Sequence, residues 1–254
     1  MSKCKMQAEV LRQTQLTEDI FDLWIKAPQI AEEAKAGQFV SLYTKDGAHL
    51  LPRPISICET DRETGSLRLV YRIAGYGTGE FSGYRPGDFV EAMGPLGNGF
   101  PLKNKKAMLI GGGIGIPPML ELAKELDGEK EIVAGYRDVL FLTEDLEAQG
   151  RLTVATEDGS AGTRGNVLDA IREKDIQAEV IYACGPTPML RAVKAYAAEK
   201  GIECWLSLEE RMACGVGACL ACVCKSKEVD SHSHVHNKRV CKDGPVFEAG
   251  EVEL

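Results

Sequence analysis

Three changes of texture along the chain predict a multidomain β plus α/β protein. Evenly spaced short β-rich runs extend to about Pro101, strands then alternate with helices to residue 208, and a cysteine-rich tail with little periodicity follows. The expected architecture is an antiparallel β-barrel at 1–101, a Rossmann-like parallel-sheet domain at 102–208 and a small C-terminal module at 209–254.

In the first region FDLWIKA, QFVSLYT, RPISICE, SLRLVYRI and DFVEAMGPL are separated by turn signals such as KDG, ETG and RPGD. Regular spacing of this kind belongs to small barrels and sandwiches. After Lys106 the text changes to AMLI, a glycine turn and PPMLELAKEL, where Met119, Leu122, Ala123 and Leu126 recur at helical spacing. Pro117 and Pro118 suit the first helical turn. Further strands are expected at EIVAGY, RLTVAT, EVIYAC and ECWLSL, and helices at NVLDAIREK and TPMLRAVKAYAAEK. The tail from Glu209 shows too little hydrophobic pattern to build its own core, so a metal centre is expected to supply it.

The 254 residues carry 30 Lys plus Arg against 38 Asp plus Glu, a formal charge of −8. That balance argues against phosphate backbones as partners, so nucleic acid is not expected. The most apolar stretch, Ala107 to Leu120, contains Gly111, Gly112, Gly113, Gly115 and two prolines, and no run reaches the ~20 apolar residues of a bilayer helix. The segment MSKCKMQAEVLRQTQ lacks the apolar core of a signal peptide. A cytoplasmic protein without membrane contact is expected.

Five of the nine cysteines lie between Cys214 and Cys241. Clustered cysteine in such a chain reads as metal or redox chemistry before disulfides. Cys214, Cys219 and Cys222 leave gaps of four and two residues, and Cys241 follows after a gap of eighteen. This is the plant-type 2Fe-2S spacing. Structural zinc sites usually pair their ligands as C-x2-C twice, and only one such pair fits here. Cys224 is a spare thiol, expected to point away from Cys222 and to be buried near the centre without ligating. His232, His234 and His236 alternate and would share one face of a strand, where metal binding is conceivable. A solvated polar loop is the preferred reading, since no carboxylate or thiol stands at matching spacing.

Glycines at 111, 112, 113 and 115 follow a strand and open a helix, where a dinucleotide pyrophosphate could approach the helix N-terminus. The full GxGxxG fingerprint is not met, because Pro118 takes its last position. CGPTPML, beginning Cys184-Gly185-Pro186, is a second strand-to-helix junction in the same region. Two such edges at the carboxyl ends of parallel strands would line one crevice.

GGGIG followed by PP, CGPTPML and RPISI together resemble the ferredoxin reductase-like flavoproteins. With MACGVGACLACVCK and KRVCKDGPVF added, the chain resembles, over nearly its whole length, the electron-transfer subunits of dihydroorotate dehydrogenase B. The span from Cys222 to Cys241 is a few residues longer than expected for that family. The resemblance implies FAD contacts at Arg53, Pro54, Ile55 and Ser56, at Val70, Tyr71 and Arg72, and at Gly77 and Thr78. It implies NAD as the second cofactor and a 2Fe-2S cluster as the third. It also implies an FMN-containing catalytic subunit as partner, in a hetero-oligomer of two of each, oxidising dihydroorotate to orotate in pyrimidine biosynthesis. No general acid or base is required of this chain, because hydride transfer asks for alignment and the cofactors carry the chemistry. Glu157 and Asp158, just after a strand, favour NAD over NADP, with Arg164 nearby as the opposing group. The rival readings are a ferredoxin:NADP reductase-like or sulfide dehydrogenase-like subunit and, from another class, a zinc-stabilised binding module without redox activity.

Overall fold

In the computed structural model, which describes residues 3–229 and 234–254, the first region closes into a six-stranded antiparallel barrel. Its elements are β1 (Cys4–Gln15), β2 (Ile20–Lys26), α1 (Pro28–Glu33), β3 (Phe39–Tyr43), β4 (Arg53–Asp61), β5 (Ser66–Arg72), α2 (Tyr76–Ser82) and β6 (Phe89–Leu96). The barrel runs in the order β1-β2-β5-β4-β3-β6, so that β4 lies between β5 and β3. Period-two alternation fills it: Ala8, Val10, Leu23, Ile25, Val40, Leu42, Ile55, Ile57, Leu67 and Leu69 form one buried cluster. Strand β1 and both short helices lie beyond the sequence expectation. CKMQAEVLRQTQ is mostly polar because only Ala8 and Val10 are fully buried, and α2 contains two glycines within seven residues.

The second region is doubly wound. It comprises β7 (Ala107–Gly112), α3 (Pro117–Glu125), β8 (Lys130–Tyr136), α4 (Thr143–Glu147), β9 (Arg151–Thr156), β10 (Thr163–Arg164), α5 (Val167–Glu173), β11 (Val180–Cys184), α6 (Thr187–Lys200) and β12 (Glu203–Ser207). Along β7, Met108 and Ile110 enter one apolar cluster with α5 and α6, while Ala107 and Leu109 enter another with α3. Both faces of the sheet are therefore covered, as parallel strands require. Pro117 and Pro118 occupy the first turn of α3, which is buried from Pro117 through Ala123. Gly111 and Gly112 belong to the strand, and a 3-10 turn at Gly113–Gly115 leads into the helix.

The C-terminal residues correct one expectation. β13 (Val223–Lys225) and β14 (Asn237–Arg239) form a small ribbon, but β15 (Val246–Glu248) pairs antiparallel with β12 and extends the large sheet to seven strands. Cys222, Val240, Cys241, Phe247, Ala249 and Val252 share their apolar cluster with β7, β11 and α6 and with Phe39 and Leu96 of the barrel. The tail thus borrows a core from its neighbours, so a metal centre is not its sole source of buried contacts. Among the described residues no helix is long and apolar enough to cross a membrane.

Ion pairs hold the barrel against the second region. The Arg68 guanidinium, 9% exposed, meets Asp22 at 2.9 Å, Asp145 of α4 at 3.2 Å and Glu59 at 3.3 Å. Burial opposes its charge, but the hydrogen bonds to Asp22 and Asp145 outweigh that and raise its pKa. Glu59 also takes Lys124 of α3 at 2.6 Å. Glu121 of α3 accepts the Thr60 N–H at 3.0 Å, and burial raises its pKa. Arg68→Ala would strand Asp22, itself 4% exposed, in a buried site without its main counter-charge. The expected cost is about 3–5 kcal/mol, read as a lower denaturant midpoint than that of Arg62→Ala, whose guanidinium is half exposed.

Candidate redox centre between three chain regions

The loop after β12 turns sharply at Gly215 and Gly217, both with positive φ (67° and 82°), where L side chains are strained. These turns direct backbone N–H groups inward, so that Cys214 Sγ accepts from Cys219 N at 3.4 Å and Val216 N at 3.5 Å. Such nests of N–H groups favour anions and iron-sulfur sites. Burial alone would raise the Cys214 thiol, but the N–H groups of Cys219, Val216 and Ala218 bring it down to about 6.

The four predicted ligands stand as two pairs. Cys214 and Cys219 sulfurs are 3.3 Å apart, and Cys222 Sγ accepts the Cys241 N–H at 3.5 Å. Burial, followed by the hydrogen bond with Cys222, pushes the Cys241 thiol up to about 12. Two irons with two thiolates each match this arrangement. Among the described residues no three His, Cys, Asp or Glu side chains converge as one metal ion would require.

Cys224 lies on β13 and directs its thiol to the Lys238 carbonyl at 3.5 Å, with burial raising its pKa to about 11. Strand alternation could not have parted it from Cys222, since residues two apart share a face. Instead Cys222 lies in the turn before β13. His232 lies outside the described residues; His234, with φ 56°, and exposed His236, which pairs Nδ1 with the Lys227 carbonyl at 2.9 Å, both lie before β14 and outside any strand.

Residues that the sequence reading did not single out hold this loop. Arg239, buried, reaches the Gly217 carbonyl at 3.1 Å and Asp243 at 3.1 Å. Asn98, just beyond β6, donates to the carbonyls of Val246 (2.9 Å) and Asp243 (3.1 Å) and accepts the Val246 N–H at 3.0 Å. The turn text LGNG and KDGP was the only local signal for either.

On β4, Arg53 lies across Gly77, where a Cβ would come within 2.6 Å of Nε. Glycine there lets the guanidinium sit against the backbone, where Nη1 donates to the Leu51 carbonyl. Thr78 Oγ1 accepts N–H groups from Ala74 (2.8 Å) and Gly75 (3.3 Å) and fixes this turn. Pro54 and Ser56 lie partly open on the outer face, while Ile55 enters the barrel core. Tyr71 also points into the core, its hydroxyl donating to Gln13 at 3.2 Å, so only its backbone can meet a ligand. Val70 packs between the two regions, and Arg72 pairs with Asp19 at 3.1 Å.

Parallel pairing sets Gly111 beside Cys184 and brings the two glycine-containing junctions together. A Cβ on Gly115 would run into the Cys184 carbonyl and come within 2.6 Å of Gly185 N. A Cβ on Gly112 would lie 2.5 Å from Met189 and 3.2 Å from Pro186. Burial raises the Cys184 thiol to about 12, which leaves it inert. The Cβ position of Gly113 is 4.0 Å from Arg72 Nη2, so this crevice opens onto the barrel. Glu157 and Asp158 are exposed after β9, and Arg164 packs under Gly159.

A barrel followed by a doubly wound sheet, with paired cysteines at their junction, defines an iron-sulfur member of the ferredoxin reductase-like flavoproteins. A solved NADH-dependent reduced ferredoxin-NADP oxidoreductase is 32% identical, with a TM-score of 0.87 over 97% of this chain and 89% of that one. The ferredoxin reductase of carbazole 1,9a-dioxygenase, 20% identical, shares the fold at a TM-score of 0.67 over 80% of this chain and 67% of that one. Residues 209–253 match the iron-sulfur cluster binding domain of dihydroorotate dehydrogenase B. The electron transfer subunit of dihydroorotate dehydrogenase B (NAD+) from Geobacillus sp. (strain WCH70) is 43% identical over 98% of both chains. The chain belongs to the family of dihydroorotate dehydrogenase B (NAD+) electron transfer subunits.

Replacing Cys214, Cys219, Cys222 or Cys241 by serine is expected to abolish the cluster in each case, whereas Cys224→Ser keeps it. Iron and acid-labile sulfide analysis distinguishes them, and cluster loss in Cys224→Ser with retention in Cys222→Ser would reverse the assignment. Arg53→Ala removes charge-assisted hydrogen bonds of about 1.5–3 kcal/mol. FAD should then bind roughly 10- to 100-fold more weakly, with iron content unchanged. Flavin fluorescence after dialysis measures this.

Proposed function

We propose that this chain carries electrons between an FMN on a partner subunit, where dihydroorotate is oxidised to orotate, and NAD, by way of a 2Fe-2S cluster and FAD. The observation that carries this reading is the order of the barrel strands. β5 adjoins the glycine turn through Arg72 and Gly113, β3 adjoins the cysteine loop through Ser41 and Gly215, and β4 with Arg53-Pro54-Ile55-Ser56 lies between them. A flavin on β4 would have the nicotinamide site on one side and the cluster on the other. When bound, FAD exchanges electron pairs with the nicotinamide and single electrons with the cluster.

The chain's own groups bind and align. Arg53, Gly77 and Thr78 hold the flavin phosphates, Pro54 and Ser56 border the ring, and the backbone of Val70, Tyr71 and Arg72 closes its edge. Gly111, Gly112, Gly113 and Gly115 with Cys184, Gly185 and Pro186 shape the NAD crevice. Cys214 and Cys219 take one iron, Cys222 and Cys241 the other. Residues 1–101, 102–208 and 209–254 correspond to these three tasks. Leu220, half exposed on the cysteine loop, belongs to the face on which the FMN subunit docks, in a complex of two copies of each chain.

The test is to purify the chain alone and with its catalytic subunit. NADH-dependent dye reduction is expected from both preparations, and dihydroorotate-dependent NAD reduction only from the complex. Glu157 and Asp158 should repel the 2′-phosphate of NADP, so kcat/KM is expected to be higher for NADH. Dihydroorotate oxidation by the isolated chain, failure to form a complex or a preference for NADPH would each contradict the corresponding element.

A further inference from the structure

Ser41 lies on β3 opposite Pro54 of β4 and Met93 of β6. Cross-strand partners share a face, so Ser41 points to the outside of the barrel with Pro54 and Met93, while its neighbours Val40 and Leu42 fill the inside. Outside here does not mean exposed. Ser41 is 1% accessible, because the cysteine loop covers it: a Cβ on Gly215, the residue after Cys214, would lie 3.0 Å from Ser41 Oγ. That hydroxyl is sealed from solvent and has no hydrogen-bond partner among the described residues.

A buried polar group left in this state costs about 1–3 kcal/mol, which alanine at the same position would avoid. The hydroxyl is therefore accounted for best by an acceptor that the polypeptide itself does not contain. Sulfurs of an iron-sulfur cluster are acceptors, and the loop that covers Ser41 is the one that carries the first ligand. The N–H donors already gathered at Cys214 come from the loop itself, so a donor from β3 would be the barrel's own contribution.

We propose that the Ser41 hydroxyl donates a hydrogen bond to a sulfur on the Cys214 side of the 2Fe-2S cluster, fixing the cluster against the barrel and raising its reduction potential. The inference rests on the cluster being held by Cys214, Cys219, Cys222 and Cys241. Reduction adds negative charge to the sulfurs, so a donor stabilises the reduced form and its loss moves the potential down.

The experiment is a potentiometric titration followed by electron paramagnetic resonance on the purified chain and on its Ser41→Ala and Ser41→Thr variants, with iron, sulfide and FAD assayed in each. Ser41→Ala should retain iron, sulfide and FAD, show a cluster midpoint more negative than wild type and leave the FAD midpoint in place. Ser41→Thr keeps the hydroxyl and should keep the wild-type potential. An unchanged cluster midpoint in Ser41→Ala, a change confined to the FAD, or a threonine variant displaced as far as the alanine one would overturn the proposal. Wild-type protein without iron and sulfide would instead overturn the cluster assignment beneath it.

Discussion

Strand β4 is gripped at one end and used at the other. Its far end, Glu59 and Thr60, is tied to α3 by Lys124 and Glu121 and to the Arg68 guanidinium that also holds Asp22 and Asp145. Its near end is Arg53-Pro54-Ile55-Ser56. Helix α3 in turn begins where the glycine turn leaves β7. The buried charges thus set the distance between the near end of β4 and the glycine turn through two rigid elements. Hydride transfer depends on reacting atoms held at ~3–3.5 Å, and a flexible linker between separately cored regions could not maintain that spacing. Arg68 and Asp22, 9% and 4% exposed, would each be left charged in a poorly solvated seam without the other.

A second set of contacts meets at Asn98. Its side chain spans from the end of the barrel to the residues just after Cys241. The Cys222–Cys241 pair is therefore anchored to the barrel from below, and Arg239 braces the Gly217 turn from the side. The nest around Cys214 keeps one thiol close to its thiolate form, whereas Cys241 lies deep among apolar neighbours. The two pairs accordingly offer a cluster unequal surroundings, one rich in N–H donors and one largely dry.

What could be read from the sequence was local. Alternation located β2 to β6, the helical text TPMLRAVKAYAAEK located α6, and cysteine spacing singled out the four cysteines that stand as two pairs, because each signal is contained within a few residues of itself. What escaped the reading was set by partners distant in sequence. β1 is mostly polar because one side faces solvent along almost its whole length, and GYGTGEFS reads as a turn although Thr78 caps it into α2. Tyr71 looks like a flavin residue in the strand text, yet register turns its ring into the barrel. Nothing in VFE announces that it pairs with a strand some forty residues upstream. Ser41 sits inside an ordinary strand, and only the packing of Gly215 over it reveals an unsatisfied donor.

The pairing of β15 with β12 has a consequence for motion. Because these two strands are neighbours in one sheet, residues 208–245 form an excursion that leaves the sheet at Leu208 and returns beside it, where Leu208 N bonds the Pro245 carbonyl at 2.9 Å. Lys194 of α6 then fastens the very end of the chain at Val252 (2.5 Å). A module tethered at one end can swing, but a loop clamped at both ends cannot travel. The cysteine loop is for this reason held in place against the sheet rather than free to move as a carrier.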